Sequence, residues 1–269
     1  MTGTIVGSID VAQVVLYAFW IFFAGLIWYL RTEDRREGYP LEADVSGAYN
    51  KSPWLFVPPA KTFLLPHGQG AVQAPNFRRD PPPANAERIS RASGYPLEPV
   101  GDPMLAGVGP GSWAMRQDVP DLTAHGEARI VPMRMATGFE IAAGEIDPRG
   151  LAVVGCDRLV AGTVRDVWVD RSEHLIRYYE VDVEGQATTD PDAEEDGFGV
   201  LLPNNFVVIK RGRARAPYLY VHAITSEQFA LVPARAAART VTRLEEDRIA
   251  AYYGSGLLYA LRNRREALL

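Results

Sequence analysis

The sequence predicts one N-terminal transmembrane α-helix, then a mainly β domain of the small antiparallel barrel type, ending in a short C-terminal helix. Three observations carry this prediction. Val11 to Leu30 is a run of twenty residues whose only strongly polar side chain is Gln13. From about Gly138, short β-branched and aromatic runs alternate with Gly, Pro, Asn and Asp. Near the end, Thr240 to Ala251 (TVTRLEEDRIAA) carries the chemistry of a helix start. The chain thereby divides into a tail (1–10), a span (11–31), a Pro-rich segment (32–110) and a β-rich domain with its helix and tail (111–269).

Twenty helical residues rise about 30 Å, the thickness of a bilayer's hydrocarbon core. A cleavable leader would carry basic residues before a shorter apolar core. Here Asp10 precedes the run, with no Lys or Arg before it. Arg31, Arg35 and Arg36 follow at once, which puts the C-terminal side in the cytoplasm by the positive-inside rule. The same three arginines suit anionic lipid head groups. Trp28 and Tyr29 suit the interfacial belt, and Ala24 and Gly25 allow close approach of a partner helix.

Residues 32–110 hold Pro40, Pro53, Pro58, Pro59, Pro66, Pro75, Pro81 to Pro83, Pro96, Pro99, Pro103 and Pro110. Each removes a backbone donor and fixes φ, so long helices and central strands are disfavoured. Yet Trp54, Leu55, Phe56, Phe63, Leu64, Leu65 and Phe77 are too apolar for solvated disorder. Extended chain lying on another surface is the better reading, with short strands at Thr62–Leu65 and Gly70–Gln73.

In the β domain the strand candidates are Leu151–Val154, Thr163–Val169, Leu175–Val183, Val200–Leu202, Asn205–Ile209 and Tyr218–Ile224. Such spacing suggests a small barrel or sandwich. The acidic run Asp190 to Asp196 lacks the order of an EF-hand and reads as a solvated hairpin tip. Ser226 to Phe229 reads as a short helical turn capped by Thr225 or Ser226. Thr242 and Glu245 form a capping-box pair for the last helix, and the chain after Tyr252 reads as surface tail.

The chain has 269 residues and a formal net charge of −5, so nucleic acid is not an expected partner. A lone Cys156 excludes an internal disulfide or a thiolate cluster and reads as a small buried hydrophobe. No GxSxG, P-loop, GxGxxG after a strand, HExxH or CxxC is present. His67, His125, His174 and His222 share no ligand spacing, so neither a self-contained enzyme nor a metal site is expected. His125, in LTAHGEAR, is an exposed loop histidine or a proton carrier. Asp170 and Glu173, in WVDRSEH, read first as turn chemistry.

FWIFFAGLIWYLRTEDRREGYPLE (19–42), KTFLLPHGQG (61–70), GDPMLAGVGPGSW (101–113), VVGCDRLVAGTVRDVWVDRSE (153–173) and LEEDRIAAYYGSGLLYA (244–260) together resemble the H subunit of the photosynthetic reaction centre of purple bacteria. The likeness runs nearly end to end. It implies one spanning helix, an extended membrane-surface region and a cytoplasmic β domain of the PRC-barrel type. It implies a single-pass protein of the bacterial inner (intracytoplasmic, chromatophore) membrane, with its N-terminus periplasmic. The subunit would bind no cofactor itself. It would cap the L and M subunits, which carry bacteriochlorophyll, bacteriopheophytin, quinones, non-haem iron and a carotenoid. A light-harvesting antenna ring and a cytochrome subunit are further partners such complexes admit, with lipids at the interface.

The resemblance also implies a part in carrying cytoplasmic protons to the reduced secondary quinone. Glu173 matches the family's acid nearest the quinone, with Asp170 beside it. The family's entrance cluster of Asp-x-His-x-His reads Thr123, His125, Glu127 here, so only the central His is kept. Thr123 does not titrate, which weakens that entrance and leaves His125 a weak surface zinc candidate. Asp118 and Asp121 could compensate, and His67 is a candidate for a second route. The competing reading is a membrane-anchored PRC-barrel adaptor that recruits a soluble partner and has no photochemical role.

Overall fold

The computed structural model describes residues 4–6, 9–39, 41–43, 46, 48–50, 57–76, 84–92, 94–183, 199–211 and 216–265. The acidic run 190–196 and the apolar residues Trp54, Leu55, Phe56 and Phe77 lie outside the described residues, as do Pro40, Pro53 and Pro81 to Pro83. The chain forms two compact units, residues 1–80 with 90–94, and residues 81–89 with 95–269. The Pro-rich segment is therefore shared between them.

In the first unit α1 runs from Val11 to Glu33. Asp10 caps it by accepting from the Gln13 backbone N–H at 2.8 Å. None of its side chains is buried. An all-round apolar helix left uncovered in this way belongs in lipid or against partner helices. Its length and composition are those of a membrane span. The helix continues past Arg31 through Thr32 and Glu33, then tightens into a 3-10 turn at Asp34–Arg36. Beyond it, β1 (Lys61–Leu64) pairs antiparallel with β2 (Ala71–Ala74). This is the hairpin expected at 62–65 and 70–73. The tight turn uses His67 at φ 55° and glycines 68 and 70 at positive φ.

In the second unit β3 (Ala86–Arg88) pairs with β4 (Leu97–Pro99). A seven-stranded sheet then contains β5 (Ile130–Pro132), β6 (Ala152–Val154), β7 (Val160–Asp170), β8 (Leu175–Val183), β9 (Val200–Pro203), β10 (Val207–Lys210) and β11 (Tyr218–Val221). Its order is β9-β8-β7-β6-β11-β10, with β5 on the far end of β7. Strand β5 lies before Gly138, outside the predicted β region. The β6–β11 pair is parallel, so the sheet is not purely antiparallel as expected.

Following the pairings, β9 and β10 run in the same direction at opposite ends of the sheet. Laid flat, six strands would separate these ends by about 24 Å. Only the 3-10 turn Asn204–Phe206 joins them, and such a turn rises about 2 Å per residue. The sheet therefore has to roll into a half-barrel, and Phe206 is buried at the joint. Trp168, Leu202, Phe229, Ile249 and Tyr253 fill the interior.

A buried carboxylate crosses that interior. Glu180 accepts from Trp168 Nε1 at 3.1 Å, Arg134 Nη1 at 3.0 Å and Arg235 Nη2 at 2.9 Å. Burial pushes its pKa up, but Arg235, Arg134 and Trp168 together hold it below the ordinary value. The Arg235 guanidinium lies 4.6 Å from the Trp168 ring centroid.

Helix α2 runs from Arg243 to Tyr259. The expected capping box is present: Glu245 N donates to Thr242 Oγ1 at 3.1 Å, and Thr242 N donates to Glu245 Oε2 at 2.8 Å. The expected end at Ala251 and the surface tail after Tyr252 are corrected. Tyr252 to Gly256 are helical and buried. Gly-Ser-Gly suggests a helix stop, but here the small residues permit contact. A Cβ on Gly254 would lie 2.4 Å from the Pro110 carbonyl oxygen, and one on Gly256 would lie 2.6 Å from that of Ala223. Arg264 then donates to the carbonyls of His222, Ala223 and Gly256 at 2.8, 2.8 and 2.7 Å.

Gly256→Ala should destabilise the second unit by about 1–3 kcal/mol through overpacking, although Ala is the better helix former by about 1 kcal/mol. Gly25→Ala, with nothing near its added Cβ, should leave stability unchanged or slightly raised. Urea unfolding followed by near-ultraviolet circular dichroism measures both.

Candidate functional site

The end of β7 and the turn after it present acidic side chains around one arginine. Asp170, the last residue of β7, is 1 % exposed. Its Oδ1 accepts from the backbone N–H groups of Ser172 and Glu173, both at 2.9 Å. Those bonds shape the turn, as the local sequence predicts. The register of β5 against β7 sets Ile130 opposite Asp170. It thereby brings Arg129 beside the same carboxylate.

The guanidinium of Arg129 holds three acids. Its Nε lies 3.0 and 2.9 Å from the two Asp170 oxygens. Nη1 reaches Asp121 Oδ2 at 3.3 Å, and Nη2 makes a short bond to Glu173 Oε1. Burial pushes Asp170 up, but Arg129 and the two backbone donors overcome it, leaving its carboxyl below the usual range. Arg129 is in turn held more firmly charged, chiefly by Asp170. Asp121 also lies 3.9 Å from Arg243 Nε. Three carboxylates on one guanidinium leave a local excess of negative charge, with Glu173 half exposed to water.

The loop 123–127 is organised by Thr123. Its Oγ1 accepts from the backbone N–H groups of His125 and Glu127, each at 3.3 Å. His125 is exposed. Glu127 pairs with Arg171 Nη2 at 2.6 Å. Asp118 accepts from the Thr242 hydroxyl at 2.7 Å at the start of α2. The structure thus brings Asp121, Asp170 and Glu173 onto one arginine, sets Glu127 on its neighbour Arg171, and places Asp118 at the helix cap. His67 belongs to the first unit, in the β1–β2 turn. No three His, Cys, Asp or Glu among the described residues could hold a metal ion together, so His125 gains no companion ligands for zinc there.

The three arginines after the span divide. Arg31 is exposed and pairs with Asp34 at 3.4 Å. Arg36 is buried, bonded to Glu33 and to the carbonyls of Pro59 and Ala74. Arg35 is buried, with its guanidinium 5.0 Å from the Tyr39 ring centroid. Arg31 is thus exposed at the end of the span, whereas Arg35 and Arg36 are buried.

Two participants escape sequence reasoning. Arg129 carries no motif, and only recognition of IVP (130–132) as a strand would have placed it. Glu246, in the first turn of α2, accepts from the Tyr178 hydroxyl at 2.7 Å. Burial pushes its carboxyl up, and Asp121 and Asp247 add to that, so the bond from Tyr178 and the charge of Arg177 only partly offset the shift. Cys156 is half-buried, and burial raises its thiol.

The two shifted carboxyls should leave opposite marks on stability. Asp170, depressed in the fold, contributes stability above its unfolded pKa and loses it as pH falls through the folded one, below the usual carboxylate range. Glu246, raised in the fold, favours the folded state while protonated and weighs against it as pH rises past the ordinary Glu value. Urea midpoints from pH 3 to 8 should show the wild type losing ground to Glu246→Gln with rising pH. Asp170→Asn should be less stable than wild type by about 3 kcal/mol at neutral pH and converge on it in acid.

Two family models match this chain in tandem. One, described as photosynthetic reaction centre, H-chain N-terminal region, matches residues 3–135. It spans α1, the hairpin and the loop that carries Asp121 and Arg129. The other, described as PRC-barrel domain, matches residues 146–222, which hold β6 to β11 and the Asp170–Glu173 turn. With a membrane-length helix ahead of a rolled β unit, the chain belongs to the H-chain family of photosynthetic reaction centres: it is a membrane-anchored reaction-centre subunit built on a PRC-barrel domain.

Proposed function

We propose that this subunit caps the cytoplasmic face of the L and M subunits, stabilises the secondary quinone site and conducts protons from the cytoplasm to the reduced quinone. Pigments, quinones and iron belong to L and M, and this chain has no catalytic site of its own. Its N-terminal tail (1–10) is periplasmic, its single span (11–31) crosses the inner membrane, and residues 111–269 are cytoplasmic. The apolar, Pro-rich segment (32–110) lies along the membrane surface and the partner subunits. Arg31, Arg35 and Arg36 immediately after the span support this orientation.

The observation that carries the proton role is the Arg129 cluster. A quinone reduced inside the membrane takes up protons only through a relay of titrating groups and water. Glu173 is half exposed, bonded to Arg129, and sits beside the buried, ionised Asp170. Such a carboxylate meets bulk water on one side and an acid-rich cluster on the other. Negative charge concentrated there raises the local proton concentration. Asp121 extends the cluster, and its charge together with burial pushes the nearby Glu246 carboxyl up. Glu127, Asp118 and His125 line the surface approach.

Glu173→Gln should slow the second, proton-coupled electron transfer to the secondary quinone by roughly tenfold, about 1.4 kcal/mol of barrier. Primary charge separation and the first electron transfer should stay unchanged. Flash-induced absorption transients on the intact complex separate these steps. Unchanged second-electron kinetics would remove Glu173 from the path.

A further inference from the structure

The outward face of the half-barrel at β10, β11, β6 and the start of β7 is apolar and cationic. Register sets Val208 opposite Tyr220, Tyr220 opposite Val154, and Val154 opposite Val160. One row of apolar and aromatic side chains therefore crosses four strands, a width of about 14 Å. Val153, Leu219 and Val221, which alternate with this row, are fully buried, so the row itself faces out. Val208 is 50 % exposed and Val160 51 %, with Leu159, just ahead of β7, at 60 %. The next row along the strands is Lys210, Tyr218, Ala152 and Thr163. Single exposed apolar residues are ordinary on a protein surface, but a contiguous group marks an interaction site.

Two cations converge in the middle of this face. The Arg158 guanidinium lies 4.8 Å from the Tyr220 ring centroid, and Lys210 Nζ lies 4.1 Å from it. Arg158 sits at φ 71°, a backbone conformation that few non-glycine residues adopt. Its neighbour Asp157 does not neutralise it, because that carboxylate is engaged by Ser226, accepting from its backbone N–H at 3.0 Å and its hydroxyl at 2.7 Å. Neither row contains an acid. In the sequence Lys210 is followed by RGRAR (211–215), three more cations and no acid, within a chain of net charge −5; of these, 212–215 lie outside the described residues.

We propose that this face docks an acidic segment of a further protein partner, beyond L and M. Carboxylates of that segment would meet Arg158 and Lys210, and its apolar side chains would cover Val160, Val208 and Leu159. Charge complementarity selects an acidic occupant, and the layout selects protein over lipid. Cations that meet head groups stand at the rim of an apolar patch, with their stems along it. Here both are held on the ring of Tyr220, with Val208 on one side and Val154 on the other. Tyrosine and arginine at the centre of an apolar patch are the anchors of protein interfaces. The proposal does not rest on the proton-handling reading, so the kinetics of Glu173→Gln leave it untouched.

Photo-crosslinking on the intact complex in its native membranes tests it. Val208 is replaced by p-benzoylphenylalanine, the cells are illuminated, and the crosslinked peptides are sequenced by mass spectrometry. The expected product joins position 208 to an Asp- and Glu-rich segment of a protein other than L, M and this chain. Its yield should fall severalfold when Arg158→Gln and Lys210→Gln are combined, and again when isolated membranes are irradiated at raised salt. A product whose yield ignores both cations would overturn the proposal. So would crosslinks confined to L or M, to lipid, or to this chain's own acidic run, Asp190 to Asp196. Leu159 carries the photolabel if the Val208 variant fails to assemble, and absence of any crosslink from an assembled complex would overturn the proposal as well.

Discussion

The second unit depends on a geometric constraint: three residues, Asn204–Phe206, must carry the chain from one end of a six-strand path to the other. That is possible only if the sheet rolls. Rolling encloses the inner face and commits Glu180 to a buried site. The carboxylate survives there because Trp168, Arg134 and Arg235 satisfy it from three directions. Rolling also leaves the long strand β7, of 11 residues, running past its neighbour β6. Its free end recruits β5 instead, and that pairing delivers Arg129 to Asp170.

The two arginine–carboxylate groups show how one chemistry serves two ends. Around Glu180 the arginines share a carboxylate that is 1 % exposed, so its charge is fixed and its value lies in the order of the core. Around Arg129 the ratio is reversed, with one guanidinium and three acids. There Asp170 is held by Arg129 and by two backbone donors on its Oδ1, while Glu173 keeps half its side chain in water. An acid excess at a wet surface suits exchange, whereas a satisfied acid in a dry core does not.

Most of the architecture was legible in the sequence because its signals are local. The span shows as uninterrupted apolarity, the strands as β-branched runs between turn formers, and the start of α2 as Thr242 with Glu245. What failed was non-local. IVP at 130–132 is too short to announce a strand, and only its pairing with β7 makes it one. GSG at 254–256 looks like a helix stop, and only the closeness of Pro110 and Ala223 explains why it is not. Arg36 looked like a surface charge, but carbonyls of Pro59 and Ala74, distant in sequence, draw it inward. The sequence singles out the acids at 170 and 173, but not the arginine that holds them together.

Thr123 shows how the loop beside this cluster keeps its shape. Threonine does not titrate, but it supplies a hydroxyl that bonds two backbone N–H groups of the loop. The loop is thereby held in shape without a carboxylate being tied up in the task. Glu127 is bound to Arg171, whose backbone N–H in turn bonds the carbonyl of Arg129. The loop and the acid cluster thus share a backbone and salt-bridge frame.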